Sequence, residues 1–451
     1  MPTVSFYTLG CKLNFAETST ISKMFQAEGF DIVSHENPSD FFVINTCSVT
    51  ENADKECKQI IKKALAKNSQ VKTIIIGCYA QLKPQEILKI PGVKLVLGAE
   101  EKFKITEFIR TFDFEKPAAF YKEIEESYHF NSSFSLGERT RTFLKIQDGC
   151  DYTCSYCTIP LARGISRSDT IGSVIDKIHA ILQSGVKEIV LTGVNIGDFG
   201  YNQIDKNKDN RKKRNENFYQ LLQEIEKIEV PFRVRISSIE PNLLTDEIIE
   251  LASQSRHIQP HFHIPLQSGS NTILAKMQRR YKRELYASRV EKIKQIMPHA
   301  CIGVDVIVGF PGETDELFNE TYQFLQQQDV SYLHVFTYSE RTNTTAESME
   351  GKVPINIRKE RNNILRALSQ KKQHYFYQTQ LGTIRNVLWE DNSKNDNMTG
   401  WTDNYIKVSA PHTEQYIGKI TMTELKQISP HAFAVESQVL NNQQCTISPI
   451  S

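Results

Sequence analysis

Three cysteines lie close together in the chain, with the spacing C-x-x-x-C-x-x-C. They are Cys150, Cys154 and Cys157, in the segment IQDGCDYTCSYCTIP. Three thiolates are one ligand short of a closed zinc site or a fully ligated four-iron cluster. The pattern leaves three interpretations: an incomplete zinc site, a C-x-x-C redox pair with Cys150 unused, or an iron–sulfur cluster with one open iron. In the last case the missing ligand belongs to a substrate or a cofactor.

Cys11, Cys47 and Cys78 form a second candidate set, although they are far apart in sequence. Each follows a predicted strand, namely TVSFYTLG, DFFVINT and VKTIIIG. In an open α/β sheet, ligands bind just beyond the carboxyl ends of the strands. We therefore expect the three thiols to share one site at that edge. The alternative is three unrelated buried thiols, because free cysteines commonly lie in protein cores.

Strands and helices alternate over residues 1–114 and position this second set. The segments AETSTISKMFQAEGF and ADKECKQIIKKALAKN have the spacing of amphipathic helices and separate the strands. This βαβα order predicts a small doubly wound parallel sheet. Residues 115–136 mix Pro, Ser and charged residues without periodicity, which predicts a linker.

Residues 137–375 contain a further series of βα units. The predicted strands include TFLKIQ, EIVLTGV, FRVRISS, HFHIPL and CIGVDVIVGF. This series predicts a full or partial (βα) barrel with its functional residues at the strand C-termini. Over residues 376–445 the pattern changes to short alternating runs, such as TIRNVLWE and YIGKITMTEL, which predict a small antiparallel β-barrel. The overall fold class is α/β.

Length and composition set the outer limits. A chain of 451 residues predicts roughly two to four domains. No apolar run approaches a membrane span, and the N-terminus has no signal-peptide pattern. We therefore expect a cytoplasmic protein without a membrane partner. Nine cysteines, an odd number unevenly spread, favour metal or redox chemistry over a disulfide framework in that compartment.

The segment GCDYTCSYCTIPLARG resembles the cluster loop of radical S-adenosyl-L-methionine (SAM) enzymes. Other segments resemble the methylthiotransferases of that superfamily and occur in the family's order. They are TLGCKLNFAET, INTCSVT, IIIGCYAQ, LTGVNIGDFG, RISSIEP, HIPLQSGSNTILAKMQRRY, DVIVGFPGET and HVFTYSER. The β-rich tail resembles the TRAM barrel that such enzymes append. The resemblance covers nearly all of the chain.

The resemblance implies two [4Fe-4S] clusters and SAM as cofactors. The metal ligands would be Cys150, Cys154 and Cys157 for one cluster, and Cys11, Cys47 and Cys78 for the other. The first cluster would cleave SAM to a 5′-deoxyadenosyl radical that abstracts a hydrogen atom, and the second would supply sulfur. No catalytic residue beyond these ligands is expected, because the cofactors supply the reactivity. The resemblance identifies the three predicted units as an N-terminal methylthiotransferase domain that holds the second cluster (1–114), a radical SAM domain (137–375) and a TRAM-like barrel (376–445).

Six residues are candidates for binding SAM. One is the aromatic residue of the cluster loop, and the others lie at predicted strand ends. They are Tyr156, Gly193, Asn195, Ser238, Glu240 and Gln267. For each residue taken singly, a turn or capping role is an equal alternative, since barrel strand ends carry both roles.

Three branches of the family act on different substrates: isopentenyladenosine in tRNA, threonylcarbamoyladenosine in tRNA, and an aspartate of a ribosomal protein. CKLN after the first strand and NTCSVTENADKE after the second resemble the threonylcarbamoyl branch. The implied reaction is methylthiolation of ring carbon 2 of N6-threonylcarbamoyladenosine at tRNA position 37. The implied partners are the tRNA anticodon loop, an electron donor such as flavodoxin or ferredoxin, and an unidentified sulfur donor. A non-catalytic, zinc-containing RNA-binding protein is the alternative from another class.

The distribution of charge bears on RNA binding more than the net charge of +1 does. Basic stretches occur at 206–215, 276–283 and 352–377, and together they predict a surface for phosphates. Residues 378–451, by contrast, hold five Lys or Arg against seven Asp or Glu. If this tail binds RNA, its contacts must be local, through Trp401, Tyr405 and Lys407, or the preceding basic helix must carry the charge.

Overall fold

The computed structural model describes residues 1–47, 51–124, 129–135, 140–204, 212–391, 396–429 and 434–440. The first unit is a six-stranded parallel sheet in the order β2-β1-β3-β4-β5-β6. Its elements are β1 (Thr3–Thr8), α1 (Lys12–Ala27), β2 (Asp31–Val33), β3 (Phe41–Thr46), α2 (Glu51–Lys67), β4 (Lys72–Gly77), α3 (Cys78–Leu82), α4 (Pro84–Leu88), β5 (Val93–Leu97), α5 (Ile105–Thr111) and β6 (Ala118–Phe120).

Alternating side chains of this sheet enter two separate cores. Phe42 and Ile44 of β3 pack into one core, whereas Phe41 and Val43 pack into the core on the opposite face. All six residues of β3 are buried because helices cover both faces. The predicted doubly wound parallel sheet is confirmed. Strand β6 lies within the predicted linker 115–136, where its three residues extend the sheet by pairing with β5.

The second unit is an open, curved array of parallel strands wrapped by helices. Strands β14, β11 and β8 form one sheet, with β7 antiparallel at its edge, and β15, β16 and β17 form another. Isolated parallel bridges, including Ser238 to His263, join the two sheets between β14 and β15. The result is the predicted partial (βα) barrel, built around the largest apolar core of the described chain.

The elements of this second unit follow in chain order. They are β7 (Ser133–Phe134), β8 (Arg141–Lys145), β9 (Gln147–Asp148), α6 (Ile159–Arg163), β10 (Arg167–Ser168), α7 (Ile171–Gln183), β11 (Glu188–Thr192), β12 (Tyr201–Ile204), β13 (Lys212–Arg214), α8 (Phe218–Glu226), β14 (Arg233–Ile236), α9 (Asp246–Gln254), β15 (His261–His263), α10 (Asn271–Lys276), α11 (Arg283–Ile296), β16 (Cys301–Val308), α12 (Asp315–Gln327), β17 (Tyr332–Thr337) and α13 (Ile355–Thr379).

The third unit is a closed five-stranded barrel in the order β18-β19-β20-β22-β21. Its strands are β18 (Ile384–Glu390), β19 (Asn397–Thr402), β20 (Lys407–Pro411), β21 (Ile420–Ile428) and β22 (Val435–Val439). The predicted small barrel is therefore confirmed. Its pairings are antiparallel except between β20 and β22, which pair in parallel and close the barrel. Among the described helices of the chain, none is both long and apolar enough to cross a membrane.

Candidate functional site

The compact cysteine set lies on the loop between β9 and α6. Gly149 begins this loop with a φ of 68°, and a Cβ there would collide with the backbone of Ile165. Glycine is required at this position because it permits both the left-handed conformation and the close approach. The amide of Cys150 then donates to the carbonyl of Gly164 at 3.0 Å, and that of Cys157 donates to Cys154 at 3.1 Å. The loop is thereby held as a tight turn.

Each sulfur of this loop accepts a hydrogen bond from a nitrogen. The amide of Tyr152 lies 3.4 Å from Cys150 Sγ, and the amide of Ile159 lies 3.5 Å from Cys157 Sγ. Burial raises the pKa of Cys150 and of Cys157 to about 12. These thiols remain protonated unless a cation replaces the proton, because a coordinated thiol deprotonates outright. Half-buried sulfurs with N–H donors in place fit the ligands of an iron–sulfur cluster.

Arg279 supplies the third of these donors. Its Nη1 lies 3.1 Å from Cys154 Sγ and 3.4 Å from the hydroxyl of Tyr156, and its Nη2 contacts Glu240. Burial raises the pKa of Glu240, while the guanidinium opposes this shift. Two of the six predicted SAM residues, Tyr156 and Glu240, therefore meet at one arginine beside the cluster loop. Arg279 cannot be identified as part of the site from sequence spacing, because more than a hundred residues separate it from Cys154.

The dispersed cysteines also converge. Cys11 precedes α1, Cys47 follows β3 and Cys78 opens α3 directly after β4, and all three line one cavity. A Cβ on Gly10, whose φ is 102°, would lie 2.6 Å from the Cβ of Cys47. The two cysteine segments can approach this closely because a glycine stands between them. Burial raises the pKa of Cys78.

All the cysteines of both sets are free thiols. Among the described residues, no three His, Cys, Asp or Glu side chains are close enough together to hold a single metal ion. A four-iron cluster makes a different demand, because each thiolate binds a different iron. The strands and loops bring each group of three thiols together, and three neighbouring thiols can each bind a different iron of one cluster.

The cavity that holds the dispersed cysteines has a volume of about 730 Å³, a size that suits a nucleoside-sized ligand. Its opposite wall consists of strand ends of the partial barrel, including Gly193 and Ser238. Tyr405 of the C-terminal barrel completes the wall and stacks on His261 at a ring distance of 4.0 Å. All three units of the chain therefore contribute to this one cavity.

The remaining SAM candidates lie around the end of β11 and β14. Gly193 lines the cavity, and Ser238 Oγ lies 2.5 Å from His263 Nδ1. The amide of Asn195 donates to Gln147 Oε1 at 2.9 Å, and Gln147 Nε2 donates to the carbonyl of Gly149 at 2.8 Å. Gln147 therefore connects this region to the compact cysteine loop.

Asn195 and Gln267, two further SAM candidates, each have an unusual local environment. The side-chain amide of Asn195 is buried, and neither its oxygen nor its nitrogen has a hydrogen-bond partner among the described residues. A buried polar group without a partner is uncommon and calls for an explanation, such as strain, a water molecule or a ligand. Gln267 adopts a φ of 67°, a conformation that non-glycine residues rarely hold and that clusters at functional sites.

Four cationic side chains line the cavity, and three of them are held by carboxylates. Arg141 lies 3.0 Å from Glu390, Arg163 lies 3.0 Å from Glu17, and Arg235 lies 2.7 Å from Glu188. The fourth is Lys12, whose side chain is exposed to the interior of the cavity while the protein surrounds it. Burial, and then Arg141 and Arg235, lower the pKa of Lys12 to about 8.

Several residues of the predicted basic surface turn inward. Arg358 and Arg361 of α13 are buried and pair with Glu340 and Glu313. Their charge is therefore paired inside the fold, and the basic surface predicted from 352–377 is correspondingly smaller. Much of the basic stretch 206–215 lies outside the described residues.

The local contacts predicted for the tail are also partly internal. Tyr405 stacks on Trp401 at a ring distance of 4.4 Å, and Arg141 lies over Trp401. Lys407 donates its backbone amide to the hydroxyl of Tyr377. These contacts fix the barrel to the rest of the chain beside the cavity.

Two family models match the chain. Residues 3–98 match the uncharacterized protein family UPF0004, and residues 144–325 match the Radical SAM superfamily. Among solved structures, the radical S-adenosylmethionine methyltransferase TsrM from Kitasatospora setae has a similar fold. The TM-score is 0.55 over 77% of each chain, with 14% sequence identity.

Curated relatives match over most of their length. The chain is 40% identical to the threonylcarbamoyladenosine tRNA methylthiotransferase MtaB of Bacillus subtilis, with 94% of each chain covered. It is 37% identical to the protein of the same name from Aquifex aeolicus, over 92% of this chain and 98% of that one. It is 33% identical to the tRNA-2-methylthio-N(6)-dimethylallyladenosine synthase of Fusobacterium nucleatum, over 87% and 89%. The chain therefore belongs to the radical SAM methylthiotransferase family.

Proposed function

We propose that this enzyme transfers a methylthio group to ring carbon 2 of N6-threonylcarbamoyladenosine at position 37 of tRNA. The cavity that holds the dispersed cysteines carries the proposal, because it is lined by Cys11, Cys47 and Cys78 on one side and by barrel strand ends on the other. The names of the relatives at 40% and 37% identity support the choice of nucleoside.

The proposed metal ligands divide between the two sets. Cys150, Cys154 and Cys157 hold the [4Fe-4S] cluster to which SAM binds, and Cys11, Cys47 and Cys78 hold the second cluster. When bound, the clusters and SAM supply the radical that opens a carbon–hydrogen bond and the sulfur that replaces the hydrogen. An external reductant of the flavodoxin or ferredoxin class supplies the electrons.

The protein itself positions these groups and limits the access of water. We assign SAM to the region between Gly193, Asn195 and Ser238, where the unpartnered amide of Asn195 can hydrogen-bond to the methionyl group. Arg279 connects Tyr156, within the cluster loop, to Glu240 beyond the end of β14. Tyr405 closes the cavity from the barrel side, so that the target base enters between the cysteines and the strand ends.

The nucleoside profile of tRNA tests the proposal. A strain that lacks this gene should contain N6-threonylcarbamoyladenosine but not its 2-methylthio derivative, as measured by mass spectrometry of digested tRNA. Complementation with the wild-type chain should restore the derivative, and complementation with Cys47→Ala should not. Unchanged 2-methylthio-N6-threonylcarbamoyladenosine in the deletion strain would refute the proposed substrate. Loss of a 2-methylthio derivative of dimethylallyladenosine instead would assign the enzyme to the other tRNA branch.

A further inference from the structure

Lys12 is the cation of the cavity that no carboxylate of the described residues holds. The described residues form neither a hydrogen bond nor an ion pair with its side chain, which is exposed to the cavity. Among the described lining residues, Asp305 is the single carboxylate, and its Oδ1 lies 3.1 Å from Nε2 of His263. Because carboxylates pair with the three arginines of the wall, the ammonium group of Lys12 is the positive charge left available to a ligand, and Asp305 faces the same cavity.

We propose that Lys12 binds the carboxylate of the threonyl group on the substrate nucleoside, an inference that rests on the proposed function. The N6-threonylcarbamoyl substituent ends in an ionised carboxylate, whereas an N6-dimethylallyl substituent is a hydrocarbon. An ammonium group that no described residue pairs attracts the first and has no favourable contact with the second. Lys12 is therefore a specificity-determining residue.

The position of Lys12 in the chain agrees with this role. It immediately follows Cys11, the first proposed ligand of the cluster that supplies sulfur, and both residues line the cavity. In adenine, ring nitrogen 1 alone separates carbon 2 from the carbon that carries N6. A group that holds the N6 substituent must therefore stand near the atom that receives the sulfur. Cys11 and Lys12 therefore place the source of sulfur next to the group that binds the N6 substituent.

The neighbouring arginines are less suited to this contact. Arg235 donates to both carboxylate oxygens of Glu188 and to the carbonyls of Thr402 and Asp403. Arg163 donates to Glu17, Asp148 and Asn14. A ligand would have to displace these bonds, and breaking a buried pair is costly. Among the described residues, Lys12 has no such bond to lose when it binds an anion.

The first test changes the substrate and keeps the protein intact. Two anticodon stem-loop RNAs are compared, one carrying N6-threonylcarbamoyladenosine and one carrying its methyl ester, which lacks the negative charge. The reconstituted wild-type enzyme should bind the acid about ten- to a hundredfold more tightly, as expected for a charge-assisted hydrogen bond. Equal dissociation constants for the acid and the ester would overturn the inference.

The second test changes Lys12. Lys12→Met should bind acid and ester equally, with the affinity that the wild type has for the ester, while Lys12→Arg should keep most of the preference. Lys227→Met is the matched control, because Lys227 is exposed on the surface and its charge pairs with Glu224; it should behave as wild type. Retention of the acid preference by Lys12→Met would assign the carboxylate to another residue.

Two further measurements separate the possible failures. The iron content of each variant is determined, and Lys12→Gln replaces Lys12→Met in the comparison if the latter loses iron at the adjacent Cys11. The wild-type enzyme is also assayed for methylthiolation of both stem-loops and of one carrying dimethylallyladenosine. Activity on the dimethylallyl RNA alone would refute the proposed function. Activity on the threonylcarbamoyl RNA with no acid preference in binding would refute only the role of Lys12.

Discussion

Substitution of one cysteine in each set should separate the two parts of the proposed reaction, which are SAM cleavage and sulfur transfer. Cys154 belongs to the set beside Arg279, and Cys47 belongs to the set that lines the cavity. Cys154→Ala should abolish SAM cleavage, whereas Cys47→Ala should preserve SAM cleavage and abolish methylthiolation of RNA. Formation of 5′-deoxyadenosine, RNA nucleosides and iron content are measured in parallel, and each variant should keep about four of eight irons. If Cys47→Ala lost both activities equally, the dispersed set would be structural.

Arg279 provides a second prediction for a single residue. Its guanidinium donates to Cys154 Sγ, and hydrogen bonds to cluster sulfurs are among the contacts that set the reduction potential. Arg279→Met removes a positive charge and a donor, so the potential of the cluster should fall by tens of millivolts and reductive SAM cleavage should slow. The measurement is a redox titration followed by electron paramagnetic resonance.

The matched control for Arg279 is its neighbour in the chain. Arg280 donates to the carbonyl of Asp151 and lies over the ring of Tyr152, so it contacts the same loop without contacting a sulfur. Arg280→Met should therefore leave the potential unchanged. A common shift in both variants would mean that the effect comes from disturbance of the loop and not from the bond to Cys154.

The limits of sequence reasoning are clear for these residues. The spacing of Cys150, Cys154 and Cys157 is local, so the chain itself displays it. Arg279 reaches the same loop only through the fold, and its position in the basic stretch 276–283 favoured a surface for phosphates. The Gly-Cys pairs at Gly10, Gly77 and Gly149 are a usable signal, because a glycine with positive φ directly precedes a cysteine in all three.

At the scale of elements, helix α1 joins the first two units through a buried ionic network. Glu17 of α1 contacts Lys145 of β8 at 2.8 Å, Arg163 of α6 at 3.0 Å and Lys102 at 2.6 Å. These side chains are almost completely buried. Removal of one charge from such a network leaves others uncompensated, which costs about 3–5 kcal/mol. The network thus holds Cys11 and Lys12, at the start of α1, against the partial barrel.

Glu17→Gln should therefore lower the free energy of unfolding by roughly 3 kcal/mol, or by less if the amide keeps part of the hydrogen bonding. Denaturant unfolding at pH 7 measures this difference. Glu28→Gln is the control, because Glu28 stands at the other end of α1 and pairs with the exposed Arg110. A surface pair contributes at most about 1 kcal/mol. Equal effects of the two substitutions would show that the buried network does not stabilise the interface.

The same network predicts how stability depends on pH. Burial alone would raise the pKa of Glu17, but Arg163, Lys102 and Lys145 together hold it well below its ordinary value of 4.5. A lowered carboxylate pKa in the folded state gives a stabilisation that is present above the unfolded pKa and is lost as the pH falls. The stability difference between wild type and Glu17→Gln should be constant near pH 7 and shrink below about pH 4.5. Cluster-free protein is used, so that acid release of iron does not contribute.

The order of the elements can be predicted from the sequence, whereas the short strand β6 within residues 115–136 cannot. Strands such as β3 and β4 are continuous apolar runs that any buried parallel strand produces. Strand β6 has three residues, only partly buried, and exists because β5 offers an open edge. Nothing in its own composition distinguishes it from a linker. Tertiary context therefore decides where the first unit ends.

At the scale of the whole molecule, arginines of β14 attach the C-terminal barrel. Arg233 donates to the carbonyls of Asn386 at 2.7 Å and Trp401 at 3.2 Å, and Arg235 donates to those of Thr402 and Asp403. Such contacts reach the ends of β18 and β19 and hold Tyr405 at the cavity. The acidic balance of the tail does not prevent this attachment, because carbonyl oxygens, rather than carboxylates, accept most of these bonds.

Arg233→Met should loosen the barrel without disturbing the cluster loop. Arg233 is buried at the start of β14, whereas the proposed SAM residues lie beyond the strand's carboxyl end, so SAM cleavage should be unchanged. Methylthiolation of tRNA should fall, because the wall that Tyr405 forms is no longer fixed. Hydrogen exchange should accelerate over residues 384–440 relative to the first two units.

Arg256→Met is the control, since Arg256 is exposed and donates to carbonyls within its own unit. Faster exchange throughout the chain, or loss of SAM cleavage, would mean that Arg233 stabilises the partial barrel itself and that the barrel is not an independently attached wall of the cavity.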